Sequence, residues 1–493
     1  MRVDSRRQAA VYHTWETTDL NLMVQAVAGG AKTTTLMGIL DRCKYRTLFL
    51  AFNKSIQEDI AVKIQAAGYS HAKALTLHSL GLSAIRNAYP KAVITKNKNY
   101  QMIKDLHSYN RGLFASMSWE DKSKTNITLM EMNDVSRIYL TDDLTQILTY
   151  MSEMDKYFYV HPQLESLWLE FIGIREEYEQ RYLIDFLDMI YITVKHKLLI
   201  PIQPYYLMID EAQDLSLIQH LMLDQLISQG DVHKWVAVGD RRQAIYGFSG
   251  SYSNSFDLFK EKGNVHELPL DVCYRCPQAI IREANKVYNV MEHYKEYDGI
   301  VGTITDPTHI NNGSMIICRN TSPLISLYFL LLAENRKVYL KGEDILNTLE
   351  RFLQPYQYKT VNQAIFKIGV ELADITEKTY KSDEERYKSY KLQENLKNLK
   401  LLQKHFCQPT DKISVILDKI KTMFEQTEDS SAITLCTIHK AKGLEADRVY
   451  ILNENLIPSK FAKSPAQLEQ EQNLKYVART RAKEEMYYLN LDI

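Results

Sequence analysis

The run LMIDEAQDLS, Leu207 to Ser216, constrains this chain more than any other segment. An apolar stretch that stops at Asp210 and Glu211 places two carboxylates at the C-terminal edge of a sheet, where open α/β sheets take their ligands. At that edge Asp210 can hold a hydrated Mg²⁺, and Glu211 can orient and deprotonate a water. Together they form half of a nucleoside-triphosphate hydrolysis site. The other half, a phosphate-binding turn, should lie upstream, and AVAGGAKTTTL (Ala26 to Leu36) supplies it. Backbone N–H groups along Ala28, Gly29, Gly30, Ala31, Lys32, Thr33 and Thr34, with the N-terminus of the helix that follows, would cradle the phosphates. Lys32 would neutralise the terminal phosphates and the Thr33 hydroxyl would bind Mg²⁺. Ala26 and Ala31 stand where the general GxxxxGK[ST] pattern has glycine. If position 31 needs a positive φ, alanine there costs about 1 kcal/mol.

A chain of 493 residues is too long for one core and should divide into two to four domains. With 45% hydrophobic and 25% charged residues, and only 18 Gly and 12 Pro, it reads as globular protein without long disordered linkers. Lys and Arg number 60 against 61 Asp and Glu, so any nucleic-acid contact must use a local groove rather than a basic surface. The six cysteines are scattered, which favours reduced thiols and an intracellular, cytoplasmic location. Cys273 and Cys276 have the spacing of half a zinc site, but no second pair follows and zinc is not expected. The N-terminus lacks the apolar core of a signal peptide, and the longest apolar stretch, Leu324 to Ala333, is too short to span a bilayer.

A βαβ rhythm runs through residues 20–90: strands at Leu22–Gln25 and Arg46–Ala51, helices at Thr33–Cys43 and Ser55–Ala66. Charged helical stretches such as Asp142–Phe158 then dominate. The rhythm returns with strands at Tyr205–Ile209 and Trp235–Val238. A second α/β region is read from Leu268, with strands at Met315–Cys318, Lys337–Leu340, Ile433–Thr437, Val449–Leu452 and Met486–Leu491. Its helices are Pro277–Val290, one after Pro323, and Leu468–Arg479. The run KSDEERYKSYKLQENLKNLKLLQKH reads as a solvated helix face. The expected architecture is α/β, with two parallel-sheet domains in tandem, each carrying a mainly helical insertion. The expected boundaries are 1–88 and 186–267 for the first domain, 89–185 for its insertion, 268–345 and 428–493 for the second domain, and 346–427 for its insertion.

Other motifs sit at predicted element ends. In WVAVGDRRQAIYGFSGS, Gln243 is placed to sense a terminal phosphate. Tyr246 and Phe248 read either as core packing or, beside a triphosphate site, as stacking partners for bases. Asp214 or Ser216 suits a helix N-cap. Thr437, His439, Lys440, Lys442, Arg479 and Arg481 cluster near strand and helix ends in LCTIHKAKGLEADRVYIL and NLKYVARTRAK.

As an ordered set these motifs resemble those of the UvrD/Rep family of superfamily 1 DNA helicases. Arg7-Gln8 is similar to the Q motif, AVAGGAKT to the family phosphate loop AxxGxGKT, and AFNKSI (51–56) and TLHSLG (76–81) to two DNA-contacting motifs. DFLDMI (185–190), VGDRRQAIYGF, CYRCP (273–277), TIHKAKGLE and YVARTRA resemble later ones. The resemblance implies two RecA-like domains. It implies that Gln8 reads adenine, Tyr274 stacks on it, Glu445 binds the ribose, and Arg275 and Arg481 act as arginine fingers on the γ-phosphate. It places Asn53, Lys54, Thr76, His78, Tyr246, Phe248, Arg319, Asn320, Thr437, His439 and Lys442 along a single-stranded DNA path. Ser249 stands where the family usually has Arg. No nuclease domain or C-terminal partner-binding tail is expected.

The expected function is an ATP-dependent DNA helicase and DNA-stimulated ATPase that uses ATP and Mg²⁺. Its expected partners are single-stranded DNA and single/double-strand junctions, without a membrane, and its expected direction 3′ to 5′ comes from the resemblance. Replication and repair are roles that would suit such a motor. Two alternatives stand beside it: a translocase that displaces proteins with little unwinding, and a nucleic-acid-binding scaffold with a weakened ATP site.

Overall fold

The structure, a computed structural model, describes residues 5–491 except 155, 157, 231, 248–249, 251–253, 343–349, 351, 378–382, 425–428 and 430. Phe248 and Ser249 therefore lie outside the described residues. The chain divides into two compact units, residues 1–273 with 462–473, and residues 274–461 with 474–493. Among the described residues no helix is long and apolar enough to cross a membrane.

The first unit is built on a six-stranded parallel sheet. Its strands are β1 (Asn21–Ala26), β2 (Thr47–Ala51), β3 (Ala72–Thr76), β4 (Tyr206–Ile209), β5 (Lys234–Gly239) and β6 (Val265–Leu270), in the spatial order β3-β2-β4-β5-β1-β6. Parallel neighbours require crossover connections, and these supply helices to both faces. Helix α1 (Arg6–Thr17), α2 (Lys32–Leu40) and α3 (Lys54–Ala66) cover one face, where Val11, Trp15, Leu36, Ile39, Ile60 and Ile64 pack on Val24, Phe49 and Val236. Helix α4 (Leu77–Ala88) and helices Asp188–Lys195 and Leu217–Gln229 cover the other, around Leu80, Ile190, Ile218 and Met222. The central strands β2 and β5 are buried at every position. Such strands give continuous apolar runs in sequence.

Three strands of the two six-stranded sheets were not anticipated, β3, β6 and, in the second unit, β7 (Ile300–Ile304). All three are edge strands, and each leaves exposed or half-buried positions along its length. With one side open, an edge strand needs no unbroken apolar run. Strand β6 pairs with β1 from Val265 to Leu270, so the expected boundary after residue 267 falls within a strand of the first sheet.

The expected helical insertion in the first unit is made of helices Lys98–Tyr109, Arg111–Ser116, Trp119–Tyr139, Leu144–Glu153 and Leu164–Gln180, which share a core around Met102, Leu129, Trp168 and Phe171. The helix expected at 142–158 starts after Asp143, whose side chain caps it, and stops at Glu153. The insertion is tied to the DFLDMI motif by a buried ionic network. Asp188 accepts from Lys98 Nζ at 2.6 Å and from Arg137 Nη1 at 2.8 Å. The side chains of Lys98 and Asp188 are fully buried and Arg137 is nearly so.

The second unit has its own six-stranded parallel sheet. Its further strands are β8 (Met315–Cys318), β9 (Val338–Leu340), β10 (Ile433–Thr437), β11 (Ala446–Leu452) and β12 (Ala482–Leu489), in the order β7-β12-β11-β8-β10-β9. Helix Thr321–Ala333, apolar on nearly every side, is buried at Leu324, Leu327, Tyr328, Phe329 and Leu331. It shares a core with Leu399, Leu402, Ile413, Ile416 and Ile420 from helices Asp383–His405 and Ile413–Phe424. The two sheets make the α/β class read from the sequence the observed one.

Removing one partner of a buried ion pair strands the other charge in low dielectric. Asp188→Asn leaves buried Lys98 without its carboxylate, while Arg137 keeps Asp185 and Asp134, and should cost about 3 kcal/mol or more. A urea unfolding curve of the variant should show a markedly lower midpoint.

Candidate functional site

Strands β4, β5 and β1 are neighbours, so the segments leaving their C-terminal ends converge. Those segments are DEAQD, DRRQ and the phosphate loop. The loop is shaped by backbone conformation. Gly29 has φ 68° and Ala31 has φ 60°, both left-handed. Ala31 precedes α2 without any side-chain cap, so the first N–H groups of that helix are offered to a ligand rather than to a capping oxygen. The positive φ anticipated at position 31 is therefore present, and alanine bears its steric strain.

The side chains meet as the motifs require. Lys32 Nζ lies 2.9 Å from Glu211 Oε1 and 3.0 Å from Oε2. The Thr33 hydroxyl donates to Asp210 Oδ2 at 2.9 Å, and the Glu211 N–H donates to Asp210 Oδ1 at 2.9 Å. Asp210 is buried, and Glu211 takes a left-handed φ of 51° as the chain leaves β4. Burial, reinforced by the adjacent Glu211, pushes the Asp210 carboxyl up to about 6. Asp240 at the end of β5 is likewise raised by burial. Burial pulls Lys32 down, but Glu211, Asp210 and Asp240 together hold its ammonium above the usual range. The Thr33 hydroxyl beside the Asp210 carboxylate is the hard-oxygen pair that suits Mg²⁺, which takes one or two protein oxygens and completes its shell with phosphate and water. Gln243, also buried, donates through Nε2 to Asp240 Oδ2 at 2.8 Å. The N-cap assignment at the end of DEAQDLS goes to Ser216, which forms a capping box with Gln219.

Gln8 is nearly inaccessible. Its amide donates to Thr35 Oγ1 at 3.1 Å and its oxygen accepts from the Ser5 N–H in a capping box. The neighbouring Arg7 forms a two-point ion pair with Asp271, at 2.9 and 2.6 Å.

The candidate strand contacts of the first unit lie along the same sheet edge. Asn53, after β2, caps α3 by accepting from the Ile56 N–H, and exposed Lys54 follows it. Thr76, at the end of β3, caps α4. His78 stacks on Phe186 with centroids 3.8 Å apart and planes 15° apart, and burial lowers the imidazole to about 4. Tyr246 stacks parallel to Phe52 at 6.1 Å. Phe52 and Phe186 were not singled out from sequence, though each lies inside a quoted motif. Phe186 is 64% exposed.

In the second unit, Arg275 Nε donates to Glu445 Oε2 at 2.7 Å and Nη1 donates to the Thr480 carbonyl at 3.0 Å. Arg481 is 1% exposed and donates to the carbonyls of Val477 at 2.9 Å and Leu444 at 3.3 Å. Arg275, Glu445 and Arg481 thus form one cluster. Tyr274 packs against Tyr294 at 4.7 Å. Arg319 and Asn320 follow β8, and Thr437, His439 and Lys442 follow its neighbour β10. Burial, with Arg319 and Lys442 close by, lowers His439 to about 3.

Two predictions follow from the loop and its carboxylates. Ala31→Gly removes the left-handed strain and should stabilise the protein by about 1 kcal/mol in a thermal melt. Asp210 has a folded pKa above its unfolded value, so its ionised form opposes folding, fully above pH 6 and not at all below pH 4. In thermal melts Asp210→Asn should therefore raise stability at pH 8 by about 3 kcal/mol, with the gain vanishing near pH 4.

Residues 5–264 match the profile of the UvrD/REP helicase N-terminal domain, and residues 333–490 match the UvrD-like helicase C-terminal domain. The ATP-dependent DNA helicase PcrA of Bacillus subtilis is 30% identical over 162 residues, 29% of this chain and 22% of that protein. The ATP-dependent DNA helicase Rep of Buchnera aphidicola is 24% identical over 308 residues, 57% of this chain and 45% of that protein. The F-box DNA helicase protein 1 of Schizosaccharomyces pombe is 22% identical over 512 residues, 94% of this chain and 55% of that protein. The chain thus spans between about a fifth and just over half of these relatives. With the N-terminal profile alone matching more than half of its 493 residues, the chain belongs to the UvrD/REP helicase family.

Proposed function

We propose that this chain is a DNA-stimulated ATPase that couples ATP hydrolysis to movement along single-stranded DNA and to strand separation, in the 3′ to 5′ direction. The observation that carries the reading is the convergence of Lys32, Thr33, Asp210, Glu211 and Gln243 at the edge of one sheet. Lys32 and the backbone of residues 28–34 bind the triphosphate. Thr33 and Asp210 hold Mg²⁺, which when bound neutralises charge on the phosphate oxygens. Glu211 orients the attacking water and takes its proton. Gln243 contacts the terminal phosphate, and Arg275 and Arg481 take the arginine-finger role that the family resemblance implies. Tyr274, Glu445 and Gln8 contribute to the nucleoside end. For Gln8 this requires its amide to leave Thr35.

Exposed Phe186 and half-buried Tyr246, with Asn53, Lys54, Thr76 and His78, form a stacking and capping surface suited to unpaired bases and their phosphates. Arg319, Asn320, Thr437, His439 and Lys442 form a second such surface on the other unit. Among the described residues the cysteines are free thiols, which suits an intracellular location.

Glu211→Gln should bind nucleotide normally and hydrolyse it about 10²–10⁴-fold more slowly. A near-normal rate would place the catalytic base elsewhere. Arg481→Ala should retain nucleotide binding while DNA-stimulated turnover falls about 10³-fold. Unwinding of forks with a single 3′ or 5′ tail tests the direction. DNA-stimulated hydrolysis without unwinding on either tail would favour a translocase that displaces proteins.

A further inference from the structure

The DEAQD motif contains a residue that the reading above leaves without a role. Gln213 is 1% exposed and lies between the water-activating carboxylate and the end of β5. Its amide cannot be turned over. The Asp240 backbone N–H can only donate, and it meets Gln213 Oε1 at 3.0 Å. The NH₂ must then face the carboxylates, and Nε2 donates to Glu211 Oε2 at 2.6 Å and to Asp214 Oδ2 at 3.2 Å. The approach is also enforced sterically. A Cβ on Gly239 would sit 2.6 Å from Gln213 Oε1 and 2.9 Å from the Phe256 ring, so only glycine lets β5 come this close.

Asp240 continues the chain on its other side. Its Oδ2 accepts from Gln243 Nε2 at 2.8 Å, and its Oδ1 accepts from the Arg242 N–H at 3.2 Å and from Gln25 at 3.4 Å. Four residues, Gln243, Asp240, Gln213 and Glu211, thus form one unbroken hydrogen-bonded line. Lys32 also holds Glu211, but its charge is needed on the phosphates. When Lys32 turns to them, the Gln213 amide stays behind to fix the carboxylate.

We propose that Gln213 is a positioning residue that transmits the phosphate contact of Gln243, through Asp240, to the orientation of Glu211. The inference rests on the roles given above to Gln243 and Glu211. When Gln243 exchanges the Asp240 carboxylate for a phosphate oxygen, the hydrogen bonding of Asp240 changes. Its N–H carries that change to the Gln213 amide, which grips Glu211. Buried amide–carboxylate lines of this kind act as a unit, and their members are not energetically independent.

The test is steady-state ATPase at saturating single-stranded DNA for Gln213→Met, Gln213→Glu, Gln243→Ala and the Gln213→Met/Gln243→Ala double variant. Gln213→Met keeps the volume and removes all three hydrogen bonds, to the Asp240 N–H, Glu211 and Asp214. Gln213→Glu keeps the acceptor for the Asp240 N–H and removes the donor to Glu211. Both should leave the KM for ATP within about twofold and lower kcat by about 10- to 100-fold, the scale set by a misplaced reacting group. The double variant should be no slower than the slower single. Multiplicative losses in the double variant, or a kcat for the Gln213 variants within about threefold of the parent, would overturn the relay. Should Gln213→Met fail to fold in a thermal melt, Gln213→Glu, paired with Gln243→Ala, decides alone. Glu211→Gln separates the two levels: an inactive Glu211→Gln beside active Gln213 variants removes only the relay, whereas an active Glu211→Gln removes the functional reading beneath it.

Discussion

One ammonium among three carboxylates organises the first unit. Lys32 is held by Glu211 and lies in the field of Asp210 and Asp240, while burial opposes ionisation of both aspartates. Such an arrangement is costly in low dielectric unless every charge has a partner. The fold supplies the partners from three adjacent strands, and the order β4-β5-β1 has to be kept for them to meet. A sheet whose strands were reordered would leave two carboxylates buried with no cation. The strain of Ala31 and Glu211, both at positive φ, belongs to the same arrangement, since both residues sit where the chain turns sharply off a strand end to reach the shared centre.

Much of this was legible in the sequence. The strands that end at Asp210 and precede the phosphate loop are covered on both faces, so their apolar runs are unbroken and their polar exits conspicuous. Strands Met315–Cys318 and Ile433–Thr437 were read to the residue for the same reason. Three of the four edge strands of the six-stranded sheets were not, because Ala72–Thr76, Val265–Leu270 and Ile300–Ile304 leave exposed or half-buried positions along their length and carry no such signature. Within the site, charged and hydroxylated residues announced themselves, while Gln213 did not. A neutral amide acquires its meaning only from the two groups it joins, and one of them, Asp240, lies on a different strand. Lys98 and Asp188, 90 residues apart, were invisible in the same way. Nothing in a lysine's local sequence reports that it will be buried against a distant carboxylate.

The two units repeat one solution with different side chains. In the first, the ends of β1, β4 and β5 carry the groups proposed to handle phosphate. In the second, the ends of β8 and β10 carry Arg319, Asn320 and Thr437, while Arg275, Glu445 and Arg481 gather around the carbonyls of Leu444, Val477 and Thr480. Arg275 is held by the Glu445 carboxylate and the Thr480 carbonyl, and Arg481 by the carbonyls of Val477 and Leu444.

Four of the candidate strand contacts, Asn53, Thr76, Asn320 and Thr437, occupy N-cap positions. Each stands where a helix dipole presents its positive end. A chain with 60 basic and 61 acidic residues can attract a polyanion in this way without a cationic surface. Dipoles displace few condensed counterions from a nucleic acid, so a hold built on helix ends loosens less steeply with ionic strength than one built on lysine and arginine. It also ties recognition to helix integrity: an alanine at Asn53, Thr76 or Thr437 removes a capping hydrogen bond along with a contact, whereas exchange among Ser, Thr, Asn and Asp keeps the helix start intact and isolates the recognition itself.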